Sequence, residues 1–105
     1  MGIRELAKSL GSIMTNAGMH YRTEFQNAAR IAEAENELAT VTSGSFVRVI
    51  SPVLKKLCYM SPEPGTEVYI RHLNHATEMI LEGNLQTEVI AYYDNKLRVA
   101  ERAVE

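Results

Sequence analysis

The stretch from Ile3 to Leu38 constrains the fold most, because its apolar residues recur at a helical period with no turn signal to stop them. On a wheel of 100° per residue, Ile3, Leu6, Leu10, Ile13, Met14, Ala17, Tyr21, Phe25, Ala28, Ile31 and Ala32 share one broad face, and Ser9, Ser12, Asn16, Thr23 and Asn27 lie opposite. That recurrence is the i, i+3, i+4, i+7 pattern of a half-buried helix, and the period-two alternation of a strand is absent. Gly11 and Gly18 fall inside the run. Each costs about 1 kcal/mol against alanine and marks a bend or a close approach of another helix.

Length turns this pattern into a prediction about assembly. A helix over Ile3–Leu38 would be about 54 Å long at 1.5 Å per residue. A compact domain of about 100 residues has a radius of gyration of only about 13 Å. A straight helix therefore overhangs its own domain, and its stripe lacks cover at one end. Either the helix folds back near Gly11–Gly18, or a second copy covers the overhang in a coiled-coil-like bundle. The second is the expectation, because apolar stripes of this size are uncommon on monomers. Its interface would comprise Leu6, Leu10, Ile13, Ala17, Tyr21 and Phe25. Glu24 and Glu35 interrupt the arc and His20 lies at its edge, which places them at an open margin of the stripe. The sharper alternative is a buried polar pair that sets register between copies.

The first helix is expected to end around Thr40, before the loop Thr42-Ser43-Gly44-Ser45, in which Ser43 or Ser45 can cap the next helix. The segment Phe46–Met60 has two readings. Phe46-Val47-Arg48-Val49-Ile50 is rich in β-branched residues and suits a short strand. However, Phe46, Val49, Ile50, Val53, Leu54, Leu57 and Met60 share one helical arc, and Pro52 points away from it. A helix, kinked or restarted after Ser51, is preferred, since a lone strand has no pairing partner.

Ser61-Pro62-Glu63-Pro64-Gly65 is the strongest break in the chain. A third helix follows to about Glu82, with Thr66 as its expected cap and Val68, Tyr69, Ile70, Leu73, Ala76, Met79 and Ile80 facing inward. Gly83 suits the position after a helix, and Asn84 suits the cap of the next. The last helix runs from Leu85 with Val89, Tyr92, Tyr93, Leu97, Ala100 and Val104 as its stripe, and Lys96 lies along it. The expected architecture is all-α. It is a small bundle of about four helices in a single domain over residues 1–105, with a long N-terminal amphipathic helix completed by oligomerisation.

Composition narrows the function classes. Net charge is −2, so nothing biases the chain as a whole toward nucleic acid or an anionic membrane. The lone Cys58 excludes a disulfide within the chain and a cysteine-based zinc site, and it fits a reducing compartment. No run approaches the ~18–20 apolar residues of a membrane span. The N-terminal stretch carries Glu5 and lacks the apolar core of a secretory leader. A cytoplasmic location is therefore expected.

Three residue groups carry some chemical promise. His72, His75 and Glu78 are spaced at i, i+3 and i+6 on a helix, but lack the i, i+4 histidine pair of the zincins and the Glu-x-x-His pairs of di-iron bundles. They are expected to be core or boundary residues and only weak metal candidates. Arg48, Lys55, Lys56 and Tyr59 form a basic stripe with an aromatic on the second helix, and no acid occurs between Gly44 and Met60. Such a stripe suits a small anionic ligand, such as a nucleotide or nucleic acid, although a solvated face is the commoner use. Cys58 sits at the edge of an apolar arc, where a structural thiol is the default. Phosphate loops, dinucleotide fingerprints and nucleophile elbows are absent. The last helix mixes Glu88, Asp94 and Glu101 with its bases, which suits a DNA groove poorly.

The functional expectation is thus a non-enzymatic protein-interaction module: a homo-oligomeric subunit, or an adaptor or inhibitor that docks a helical face on a larger protein. No cofactor is implied, and neither nucleic acid nor membrane is an expected partner. The alternative is a binding module for a small anionic ligand through Arg48, Lys55, Lys56 and Tyr59. A third reading is an enzyme whose site is assembled between chains around His72 and His75.

Overall fold

Four helical runs separated by glycine-, serine- and proline-containing breaks should give four helices with short connections, and they do. The computed structural model describes residues 26–104. The helices are α1 (Ala28–Thr40), α2 (Phe46–Tyr59), α3 (Thr66–Leu81) and α4 (Gln86–Ala103). The described residues contain no strand.

Helix α1 corrects the expected Ile3–Leu38 helix. Gln26 and Asn27 are not helical, and Asn27 is the N-cap, its side-chain oxygen accepting the Arg30 N–H at 3.3 Å. Asparagine competes for backbone donors and so favours a cap over a helix interior. A continuous rod of about 54 Å through Asn27 is therefore not seen among the described residues. The interface residues Leu6, Leu10, Ile13, Ala17, Tyr21 and Phe25 lie outside the described residues, as do Gly11, Gly18, His20 and Glu24. At the other end, glutamates crowd the last turns where cations would suit the dipole better. Hydroxyls serve instead: Thr40 Oγ1 donates to the Glu37 carbonyl at 2.7 Å, and Thr42 Oγ1 to that of Leu38 at 2.8 Å.

Helix α2 runs unbroken through Pro52, so the strand reading falls. Phe46, Ile50, Leu54 and Cys58 recur every fourth residue and are all buried, a seam that holds the helical register across the proline. Pro52 is exposed on the opposite side. The amide it lacks leaves the Arg48 carbonyl without its helical donor at a place water can reach. Val49, assigned to the inner arc, is 48% exposed instead.

Helix α3 is capped by Gly65 rather than Thr66, which is its first residue. It ends in a Schellman motif: Gly83 N–H bonds to the Ile80 carbonyl at 3.0 Å and Asn84 N–H to that of Met79 at 3.0 Å. Gly83 has φ +107°, which only glycine adopts without strain. The Asn84 side chain also donates to the Met79 carbonyl, at 2.9 Å. It closes α3 and is not the cap of α4, a place taken by Leu85. Leucine cannot cap with its side chain; Glu88 Oε1 reaches back to accept the Leu85 N–H at 2.8 Å.

Helix α1 packs mainly on α3, and α2 mainly on α4, with α2 and α3 meeting between them. The core gathers residues from all four, including Leu38, Ile50, Leu54, Tyr69, Leu73, Val89 and Tyr93, each fully buried. One polar hub ties three helices together. The Tyr69 hydroxyl donates to Glu35 Oε2 at 2.7 Å and lies 2.6 Å from Ser51 Oγ. Glu35 is therefore partnered across helices of this chain, with its carboxylate satisfied where the α1 stripe meets α3.

Candidate functional site

Helix α3 carries polar residues on its outer side, and α1 and α4 rise on either flank. Together they form an open groove of about 620 Å³. Arg30 of α1 stands at one wall, Tyr92, Tyr93 and Lys96 of α4 at the other, and Glu67, Arg71, His72, Asn74, His75 and Glu78 of α3 make the floor. Arg30 offers its two terminal guanidinium nitrogens to the two Glu67 oxygens. This contact raises the Arg30 pKa and lowers that of Glu67, each first through the hydrogen bond and then through the opposite charge. Both groups are exposed, so the pair fixes geometry more than it stabilises.

An aromatic cluster forms the α4 side. The His75 Nδ1 lies 2.7 Å from the Tyr93 hydroxyl. His72 meets the Tyr93 ring edge-on at 5.8 Å between centroids, and Tyr92 meets it at 5.0 Å. The Lys96 ammonium sits 5.3 Å from the centre of the Tyr92 ring. Burial pushes the His72 pKa down, and the charges of Arg71, Lys96 and His75 push the same way. His72 is thus held as a neutral ring against Tyr93.

The structure keeps His72, His75 and Glu78 together on the groove floor, and the α2 stripe away from it. His72 is half-buried, and His75 is exposed and engaged with Tyr93. Among the described residues no three His, Cys, Asp or Glu side chains are placed to share a metal ion, so His72, His75 and Glu78 do not form a ligand set there. On α2, Arg48 and Lys56 are exposed while Lys55 and Tyr59 are half-buried. Lys55 turns its ammonium onto the Tyr69 ring, 5.6 Å from the centroid, and none of the four lines the groove. Cys58 is fully buried, and desolvation pushes its thiol up to about 12. It stays protonated and does not supply a thiolate nucleophile.

The feature that sequence reasoning missed lies on α4. Val89, Tyr93 and Leu97 face the core. About 100° round the helix, Tyr92 and Val99 lie on a second side seven residues apart, and Leu85, the cap with its extended backbone, stands seven residues before Tyr92. Leu85, Tyr92 and Val99 are 64%, 39% and 52% exposed. The expected stripe merged Leu85, Tyr92 and Val104 with the core residues, but all three are exposed. The seven-residue spacing that includes Val99 was the available signal. Among the described residues no helix is long and apolar enough to cross a membrane.

No protein-family model matches the chain, and neither a curated protein nor a solved structure shows significant similarity to it.

Proposed function

We propose that this chain is a non-enzymatic interaction module that acts through a helical face, with Tyr92 and Val99 of α4, and Leu85 at its cap, as the contact surface. The observation that carries this reading is the exposed group itself. The four helices enclose a core of their own, yet of the six large apolar side chains exposed among the described residues, Tyr92 and Val99 share one side of α4 and Leu85 stands at its start. Scattered exposed leucines and valines are ordinary, whereas an exposed tyrosine grouped with them is the residue type enriched where proteins meet. The reading no longer draws on the overhang of a long first helix. The α2 stripe lends less support to an anionic ligand, because Lys55 is committed to the Tyr69 ring.

A photo-crosslinking residue at position 92 of the full chain, in cells, tests the proposal, with the same residue at the exposed position of Arg98 as the comparison. Protein adducts that form from position 92 and not from 98 support it. An absence of adducts from 92, or equal labelling from both positions, removes it.

A further inference from the structure

Beyond that reading, the geometry points to a ligand site: the groove over α3 binds a phosphate monoester of nucleotide size, with its phosphate between Arg71 and Lys96 and its organic half turned toward Glu78. Charge is the first reason. Glu67 lines the groove, but both of its carboxylate oxygens are taken by Arg30. Arg71 follows Glu67 by one turn on α3, and Lys96 stands on the α4 wall. Both are exposed, and among the described residues neither forms an ion pair. The Lys96 ammonium is held over the Tyr92 ring, 5.3 Å from its centre. His72, seated edge-on against Tyr93, feels the positive charge of both Arg71 and Lys96. Two cations from two helices thus converge on one neutral ring. A phosphate dianion placed there is met by a guanidinium fork on one side and a point charge on the other. A single carboxylate would neutralise only one of them.

Size and polarity supply the rest. The groove volume of about 620 Å³ falls within the roughly 300–1,000 Å³ of small-molecule sites, and a bare phosphate would fill a small part of it. The remainder runs along α3 past Asn74 and His75 to Glu78. Glu78 stands seven residues after Arg71, on the same side of the helix and about 10 Å along its axis. It is exposed, and among the described residues it forms no ion pair. A carboxylate at that end repels the phosphate and accepts hydrogen bonds from hydroxyl or amino groups, so it sets which way the ligand lies. Asn74, exposed between the two ends, offers both a donor and an acceptor. The rings of His75 and Tyr92 give flat apolar surface beside them. A nucleoside monophosphate has this length and this polarity, with hydroxyl and amino groups beyond its phosphate.

Calorimetric titration of the full chain with adenosine monophosphate, adenosine and inorganic phosphate tests the inference. The monophosphate should bind about tenfold more tightly than adenosine, which lacks the charge, and more tightly than inorganic phosphate, which lacks the organic half. R71M and K96M should each weaken it about tenfold, the loss expected of one charge-assisted hydrogen bond. K56M, at an exposed position of α2 away from the groove, should leave it unchanged. Proton NMR of the His72 ring gives a readout that a merely structural role would not move. Burial and the charges of Arg71, Lys96 and His75 hold the His72 pKa down. A bound phosphate offsets those charges, so the pKa should rise on binding. Arg30, Glu67, Glu78 and the phenols of Tyr92 and Tyr93 also face the groove, with and without ligand, so the difference reports the ligand. The inference is overturned if millimolar adenosine monophosphate gives neither heat nor a rise in the His72 pKa, or if adenosine binds as tightly. It is also overturned if R71M and K96M bind like the wild type, or if K56M loses as much as they do, which would mean diffuse charge attraction. Inorganic phosphate binding as tightly as the monophosphate would show an oxyanion cradle with no hold on an organic half, and would overturn the ester.

Discussion

Tyr92 and Tyr93 are neighbours in sequence and opposites in circumstance. Tyr93 is fully buried, and its hydroxyl reaches His75. Tyr92 is 39% exposed, with an edge-on contact to Tyr93 and a lysine over its face. The same division runs through the molecule. Each helix has an inward line that fixes the fold and an outward side that carries what the core does not require: the exposed apolar group on α4, the basic stripe and proline on α2, the groove floor on α3. Stability should depend on the inward lines, and binding on the outward ones.

The sharpest way to break that division is to truncate the two tyrosines separately. Y93A should cost about 3–5 kcal/mol, the usual price of deleting a buried aromatic ring. Y92A should cost about 1 kcal/mol in the isolated subunit, since it loses exposed edge contacts to Tyr93 and His75 and the lysine over its face. Urea unfolding at a protein concentration low enough to exclude association measures both. Equal losses would show that the outer group is part of the core after all.

Next comes alkaline pH, which addresses the inward side alone. Burial raises the pKa of Cys58, Tyr69 and Tyr93 above their ordinary values of 9.0, 10.0 and 10.0. Above those values the unfolded chain releases protons that the folded chain keeps. Stability is therefore complete below about pH 9 and falls as pH rises through the folded values. Urea midpoints compared at pH 8 and pH 10.5 should show a clear drop. A flat profile would mean that these groups are hydrated in the folded chain.

A smaller effect is expected at the other buried tyrosine. Y69F removes the donor to Glu35 and the partner of Ser51, and should cost about 2 kcal/mol. It should also make the alkaline decline shallower, because one of the three buried acids is gone. A variant as stable as the wild type would show that water replaces the hydroxyl and that the three-helix hub contributes little.

These predictions follow a boundary between what the sequence made legible and what it did not. The helical period of α2 was legible, since Phe46, Ile50, Leu54 and Cys58 repeat every fourth residue and the proline falls on the opposite side, but a kink or restart after Ser51 was expected where one helix runs through. The end of α3 was legible in Gly83, whose positive φ needs a residue without a side chain. The start of α1 was not. Asn27 stands among residues that continue a helical period, and its backbone conformation and side-chain bond to the Arg30 N–H make it a cap. A wheel also blurs the centre of a stripe by a residue, and that was enough to merge Tyr92 with Tyr93. The Tyr69–Glu35 and Tyr93–His75 contacts join residues 34 and 18 apart in sequence, with no local pattern to announce them.

The smallest effect belongs to a defect that the outward side tolerates. Pro52 sits within α2, exposed, where it removes one helical hydrogen bond and crowds the Arg48 carbonyl. A proline in a helix interior costs about 3 kcal/mol in a host with nothing else to hold it. Here Ile50 and Leu54, both fully buried, hold the helix on either side. Restriction of the unfolded chain by the ring returns roughly 0.4–1 kcal/mol, and the freed carbonyl belongs to the exposed Arg48. P52A should therefore stabilise the fold by about 1 kcal/mol, seen as a higher urea midpoint at an unchanged slope. A loss of stability would mean that the ring makes a contact the inward seam depends on. The two sides of α2 would then not be independent, and the same doubt would extend to the two sides of α4.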